Sequence, residues 1–152
     1  MKTTWTVRKA IEDDIDTIAA FNRAMAWETE KKRLDPETIT RGVARLMARP
    51  ALGFYLVAET GGCIGASLMI TYEWSDWRDG CFWWIQSVYV VPELRRCGGF
   101  SALFNAVTAL AREDGDVRGL RLYVDHGNDG AQRTYRALGM NPGHYTLYEM
   151  EY

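Results

Sequence analysis

The chain has 152 residues, 47% of them hydrophobic and 25% charged, with a formal net charge of −2. This is the balance of a soluble globular protein and the size of one domain, residues 1–152, large enough to bury about two thirds of its unfolded surface without a metal or disulfide. No broad basic face is available for nucleic acid, and the longest uncharged run, Cys97 to Ala111 with 15 residues, is too short to span a bilayer.

The opening segment from Trp5 to Ala10 alternates like a short strand, and Asp13 or Asp14 can cap a helix running through Ile15, Ile18, Ala19 and Asn22 toward Met25. Asp35-Pro36-Glu37 is a strong helix start, followed by Ile39, Val43, Leu46 and Met47 on one side. The period then changes: Phe54 to Glu59 reads as a strand, Thr60-Gly61-Gly62 as a hairpin turn, and Cys63 to Tyr72 as the partner strand. A polar and aromatic connection, Glu73 to Gly80, leads to a strand from Phe82 to Val91, stopped by Pro92. A long helix follows with Phe100, Leu103, Phe104, Val107 and Leu110 on one face. Leu120 to Val124 is a strand, Ala131 to Leu138 a helix ended by Gly139, and Tyr145 to Glu151 a final strand. The expected fold is α/β, a mixed sheet flanked by helices in the order β-α-α-β-β-β-α-β-α-β.

Three cysteines, Cys63, Cys81 and Cys97, are odd in number and widely spaced. They make neither a metal-ligand pattern nor a disulfide framework, which fits a reducing cytoplasm. Met1 to Asp14 lacks the apolar core of a signal peptide. A cytoplasmic protein without a metal or a membrane segment is expected.

Two junctions carry chemistry. In the first, a strand and Pro92-Glu93-Leu94 lead through Arg95-Arg96-Cys97-Gly98-Gly99-Phe100-Ser101 into a helix. A glycine turn that opens a helix leaves backbone N–H groups unpaired, with the helix dipole behind them, and suits a pyrophosphate. Gly98 and Gly99 let backbone approach a ligand closely; a tight strand-to-helix turn would use the same two glycines. The spacing is neither a Walker A loop nor a dinucleotide fingerprint. The second junction is Asn128, Ala131, Tyr135 and Gly139, spaced Asn-x-x-Ala-x-x-x-Tyr-x-x-x-Gly after a strand. Asn128 reads as a helix N-cap or a ligand-facing amide, while Ala131 and Tyr135 share a helical face.

Together these residues resemble the GNAT superfamily of acetyltransferases. Arg95, Gly98 and, imperfectly, Phe100 match its motif A, Gln/Arg-x-x-Gly-x-Gly/Ala; Asn128 through Gly139 match its motif B. The order of strands and helices matches as well, so the resemblance covers nearly the whole chain. It implies that the backbone of Val88, Tyr89 and Val90 pairs with the pantetheine arm of acetyl-CoA like an added strand. It further implies that the amides from Arg96 to Ser101, that is Arg96, Cys97, Gly98, Gly99, Phe100 and Ser101, hold the pyrophosphate, and that Asn128 bonds the pantetheine or its neighbourhood. Tyr135 would protonate the departing thiolate, and a strand N–H near Val88 to Val90 would polarise the thioester carbonyl. The implied reaction is direct attack by a primary amine, of a small molecule or of a peptide or protein, without a covalent enzyme intermediate. Phe100 departs from the small residue of motif A, and its ring is expected to point into the core beneath the loop.

The acceptor amine must lose a proton. Family members often use a Glu on the strand before motif A, but Trp83-Trp84-Ile85-Gln86-Ser87 has no acid. Glu28, Glu30, Glu73, Asp76 and Glu149 are the candidates, with Glu28 favoured because the connection between the first two helices covers the acceptor site in this family; a water chain through Gln86 or Ser87 could replace a dedicated base. Each acid could also be only a solvated surface charge. The missing strand acid motivates an alternative reading, a catalytically silent acyl-CoA-binding or interaction module. Trp27, Trp74, Trp77, Trp83 and Trp84 lie in segments expected to border the acceptor cleft, where aromatics interleaved with acids suit a cation. Trp83 and Trp84 alternate, so one packs inward and the other covers a helix or the partner in a homodimer.

Overall fold

Residues 2–152 are described by a computed structural model, with a first unit ending at Leu122 and a second running from Tyr123 to Tyr152. The first unit contains β1 (Thr6–Lys9), α1 (Ile15–Glu30), α2 (Pro36–Met47), β2 (Gly53–Thr60), β3 (Cys63–Ser75), β4 (Gly80–Val90), α3 (Gly99–Asp114) and β5 (Val117–Leu122). Its sheet runs β1-β2-β3-β4-β5. The first four strands pair antiparallel, and β5 lies parallel to β4 because α3 carries the chain back across the sheet.

Strand alternation assigns the two faces. Tyr55 and Val57 of β2 pack with Ile18 and Ala19 of α1 and with Val43 and Leu46 of α2. Leu56, between them, points to the opposite face, the side covered by α3, whose Leu103 and Val107 are fully buried. At Gly61 and Gly62 the φ angles of 58° and 81° make the two-residue hairpin turn that the Thr60-Gly61-Gly62 sequence predicts. Asp35 caps α2 as expected, its Oδ2 accepting from the Thr38 amide at 2.8 Å.

Asp14 does not cap α1. Its carboxylate turns back to take a bidentate pair from Arg8, at 2.7 and 3.1 Å, and the Ile11 amide at 2.8 Å. Arg8 also reaches Glu59 at 2.6 Å, so one guanidinium ties β1 to β2 and to the turn before α1. A buried carboxylate such as Asp14 is costly to leave charged and unpaired, which is why the guanidinium outcompetes a cap. Its hydrogen bonds from Arg8 hold the Asp14 carboxyl below the usual carboxylate range, against the opposing effect of burial. Stability from this pair is therefore present above about pH 4 and is lost as pH falls through the depressed folded value. Asp14→Asn should lower stability at neutral pH by about 2 kcal/mol and flatten that acid limb; urea unfolding at several pH values checks both.

Tyr55 gives the opposite limb. Burial pushes its hydroxyl from 10.0 up to about 12. The folded state keeps that proton where the unfolded chain releases it, so stability holds below pH 10 and falls between pH 10 and 12, by about 2–3 kcal/mol from this group. A Tyr55→Phe protein should show a shallower alkaline loss in the same unfolding experiment.

The sequence shortens several elements. The strand β3 runs on to Ser75, because Glu73, read as part of a polar connection, pairs across the sheet with Phe82. Its charge is met there by Arg121 and the Trp84 indole, at 2.7 and 2.9 Å.

In the second unit, α4 spans Asp129–Ala137, opening on Asn128 as expected. The final strand expected from Tyr145 to Glu151 is not formed: residues 140–152 carry no regular secondary structure. The segment alternates well enough, but a strand needs a ladder, and no described residue pairs with it. Tyr145, Tyr148 and Met150 stay exposed.

Candidate functional site

The strand β4 changes character part way along. Its parallel pairing with β5 ends at Ile85 and Leu122, so from Gln86 onward this edge has no strand beside it in the sheet. On its other side Ser67 pairs with Tyr89 and Met69 with Gln86, leaving Ser87 and Val88 together opposite Leu68. This is a β-bulge, and Ser87 takes a left-handed φ of 51° to make it. The extra residue swaps the alternation. Trp84 and Gln86 share the α1–α2 face before the bulge; Tyr89 does so after it, its ring 5.0 Å from that of Phe21 in α1.

Backbone direction follows the same count. The Val91 amide donates to the Gly65 carbonyl at 2.9 Å, toward β3. Successive residues of an antiparallel strand aim their N–H and C=O alternately, so Val88 and Val90 direct theirs to the open edge, whereas Tyr89 directs its own to β3. Of the three residues expected to pair with a ligand arm, two thus present backbone groups and Tyr89 supplies a buried ring. The Val90 carbonyl already accepts from Arg95 Nε at 2.9 Å, which leaves the Val88 groups and the Val90 N–H facing outward.

Beyond β4 one 3₁₀ turn, Pro92–Leu94, leads into the glycine loop. Arg96 and Gly98 take left-handed φ angles of 63° and 88°. Gly98 opens α3 without a side-chain cap. The first intrahelical bond, from the Ala102 amide to the Gly98 carbonyl, is 3.0 Å, so the N–H groups of Gly99 and Ser101, ahead of that bond, point out of the helix start. With the positive end of a 16-residue helix behind them, these donors suit a diphosphate. The Phe100 ring packs along the helix against Phe104, at 6.0 Å between centroids. The residues present therefore fit a CoA pyrophosphate at the loop and an extended arm along Val88 and Val90.

Arg95 is not aimed at that anion site. Its Nη2 donates to Glu28 Oε2 at 2.7 Å, its Nε to Val90, and its guanidinium lies 5.6 Å from the Tyr89 ring. The Tyr89 hydroxyl donates to Glu28 Oε1 at 3.4 Å. Burial, with Glu28 beside it, holds that hydroxyl above its ordinary value. The end of α1, the bulged strand and the loop are thus joined by the carboxylate of Glu28.

The other acids are placed differently. Glu73 is held by Arg121 and Trp84, and Asp76 Oδ1 accepts from the Trp77 amide. Glu30 and Glu149 are exposed. The tryptophans separate too. Trp83 lies on the α3 face in a cluster with Phe54 and Tyr72, at 5.3 and 6.1 Å, and so faces away from Trp84. Trp27 is exposed, with the chain's own Lys31 and Arg33 at 5.4 and 5.0 Å from its ring. Trp74 and Trp77 are exposed.

Within the second unit the Asn128 Oδ1 accepts from the Ala131 amide at 3.1 Å, the N-cap geometry that is one of the two readings of its sequence. Tyr135 is half-buried on α4, and desolvation raises its hydroxyl above the ordinary value, so it is protonated at neutral pH. Among the described residues no cluster of His, Cys, Asp or Glu could hold a metal ion, and no helix is long and apolar enough to cross a membrane.

Sequence reasoning missed Trp5, which lies under the glycine loop: its Nε1 donates to the Cys97 carbonyl at 2.8 Å. Nothing local to residues 5–10 signals a contact 92 positions away; only the need of an uncapped loop for a brace could have suggested one.

A sequence profile of the Acetyltransferase (GNAT) family matches residues 13–140. Among solved structures, a possible acetyltransferase from Clostridium difficile 630 is 45% identical, with 97% of each chain covered and a TM-score of 0.90. A predicted acetyltransferase from Clostridium acetobutylicum, solved with acetyl-CoA, is 19% identical over 97% of this chain and 96% of that one, with a TM-score of 0.80. The aminoglycoside N-acetyltransferase AAC(6')-Iy, solved with CoA, is 13% identical over 99% of this chain and 97% of its own, with a TM-score of 0.79. No curated protein sequence matches.

Proposed function

The chain belongs to the acetyltransferase (GNAT) family, and on that premise we propose that it transfers an acetyl group from acetyl-CoA to a primary amine of a small molecule. The observation that carries the reading is one continuous piece of backbone: a strand bulged at Ser87, an open edge at Val88 and Val90, and an uncapped helix start at Gly98. Those three features in that order match an extended acyl carrier with a diphosphate in its handle.

Bound acetyl-CoA supplies an activated acetyl group. The chain's own groups then have separable roles. The N–H groups from Arg96 to Ser101 hold the pyrophosphate. Val88 and Val90 align the pantetheine arm by strand-like hydrogen bonds, with Asn128 bonding the arm or its neighbourhood. The Val88 N–H, just past the bulge, polarises the acetyl carbonyl as negative charge develops on its oxygen. The amine attacks directly, and Tyr135 gives its proton to the departing thiolate. Glu28 is the acid assigned to the acceptor's proton. Its Oε2 is committed to Arg95, while Oε1 has only the 3.4 Å contact from Tyr89 and is the oxygen left to receive it.

A small-molecule acceptor accords with the aminoglycoside acceptor named for AAC(6')-Iy, which shares the fold. The pairing of Glu28 with Arg95 keeps a second reading alive, that of a silent acyl-CoA-binding module. Incubation with acetyl-CoA and a panel of primary amines, read by thiol detection, separates the two. Thiol release well above hydrolysis with at least one amine is expected; release at background for every amine, in a protein that binds acetyl-CoA, would favour the silent module.

A further inference from the structure

We infer that Trp5 is a positioning residue for the glycine loop, setting the direction in which the Gly98 amide points. The inference rests on the reading of that loop as the holder of the CoA pyrophosphate. Trp5 stands one residue before β1, and its Nε1 donates to the Cys97 carbonyl at 2.8 Å. The Cys97 C=O and the Gly98 N–H belong to one planar peptide unit and point in opposite directions. Holding the carbonyl on the indole therefore turns the Gly98 N–H away from Trp5. A peptide flipped the other way would put the carbonyl's negative end beside the N–H groups of Gly99, Phe100 and Ser101, where it would repel an anion.

The ring is wedged as well as bonded. A Cβ on Gly99 would lie 3.0 Å from Trp5 Cζ2, and one on Gly65 would lie 2.9 Å from Trp5 Cη2. The two glycines thus form a slot between β3 and the first turn of α3, and the indole fills it. Trp5 thus reaches the backbone of the loop from 92 positions away along the chain. The loop has left-handed residues at Arg96 and Gly98 and no side-chain cap at its helix start, so the indole bond restrains a segment that the helix itself does not. Trp5 therefore acts on the anion through the loop, without touching it.

The test compares two donors that differ at the loop. Titration calorimetry of acetyl-CoA and of S-acetylpantetheine, which lacks the diphosphate and nucleotide, is run on the unaltered protein and on Trp5→Phe. Losing one oriented hydrogen bond should weaken acetyl-CoA binding about tenfold and leave S-acetylpantetheine within about twofold. A loss of overall structure would weaken both together, and that outcome, or unchanged acetyl-CoA binding, overturns the inference. Replacing Trp5 with benzothienylalanine, where sulfur takes the place of the N–H and the slot stays filled, should give the same split; equal affinity for acetyl-CoA in that variant overturns it. In the unaltered protein, the Trp5 indole N–H resonance should move on adding acetyl-CoA and stay still with S-acetylpantetheine, and an unmoved resonance at saturation also overturns it. Failure of the unaltered protein to bind acetyl-CoA would instead remove the acetyl-CoA reading, and this inference with it.

Discussion

Replacing Tyr135 with Phe is expected to lower kcat by about 10²- to 10³-fold, the range for loss of a general acid, and to leave the affinity for acetyl-CoA within about twofold. The substitution removes one oxygen from a half-buried ring on α4 and keeps the ring itself. Partial burial holds the hydroxyl above its ordinary value, so the group is protonated across the neutral range and can donate. A thiolate expelled without a donor is a poorer leaving group, and the loss falls on turnover because binding does not use that proton. Steady-state kinetics paired with calorimetry reads both quantities. Unchanged kcat would remove Tyr135 from the acid role, and a parallel loss of affinity would make it a binding residue.

Ser101→Asp should move stability and binding in opposite directions. Ser101 is exposed and is the third residue of α3. A carboxylate in the first turn complements the helix dipole and should stabilise the fold by about 0.5 kcal/mol. The same charge would sit among the N–H groups assigned to the pyrophosphate. Repulsion across a few ångström at a protein surface is worth about 3 kcal/mol, so acetyl-CoA affinity should fall roughly 100-fold. Added salt should recover part of that loss. Thermal unfolding and titration of the same preparation give both signs; an acetyl-CoA affinity equal to that of the unaltered protein would mean that the anion does not lie at this helix start.

The glycine turn and the α4 cap were legible because their geometry is local. Gly98 and Gly99 next to a strand end, and the spacing of Asn128, Ala131, Tyr135 and Gly139, state their geometry in a short stretch of chain, and the loop and the α4 cap form as that spacing implies. What the sequence could not state is anything that depends on partners far away along the chain. The bulge at Ser87 is visible only once β3 supplies a register. It decides that Val88 and Val90, and not Tyr89, face the open edge. Asp14 reads as a cap until β1 brings Arg8 to it. Arg95 reads as part of the motif A loop, and only the fold shows that α1 brings Glu28 to it at 2.7 Å. Trp83 and Trp84 alternate as expected, but which faces α3 and which bonds Glu73 is visible only in the folded sheet. The last segment shows the converse error, since alternation from Tyr145 to Glu151 supplied a pattern without a strand to pair with.

The acceptor side is less legible still, because no single residue type defines it. Two of the acids that the sequence offered for it are shared with cations of the chain itself: Glu28 with Arg95, Glu73 with Arg121. Such pairing is a property of packing, not of spacing.

The central claim is that the open edge of β4 and the glycine loop hold acetyl-CoA. Isothermal titration of the unaltered protein with acetyl-CoA tests it most directly. The account predicts saturable binding of one acetyl-CoA per chain at micromolar concentrations, weakening as salt rises because the contact is partly with a diphosphate. No measurable heat at high micromolar acetyl-CoA, from protein shown to be folded, would contradict it.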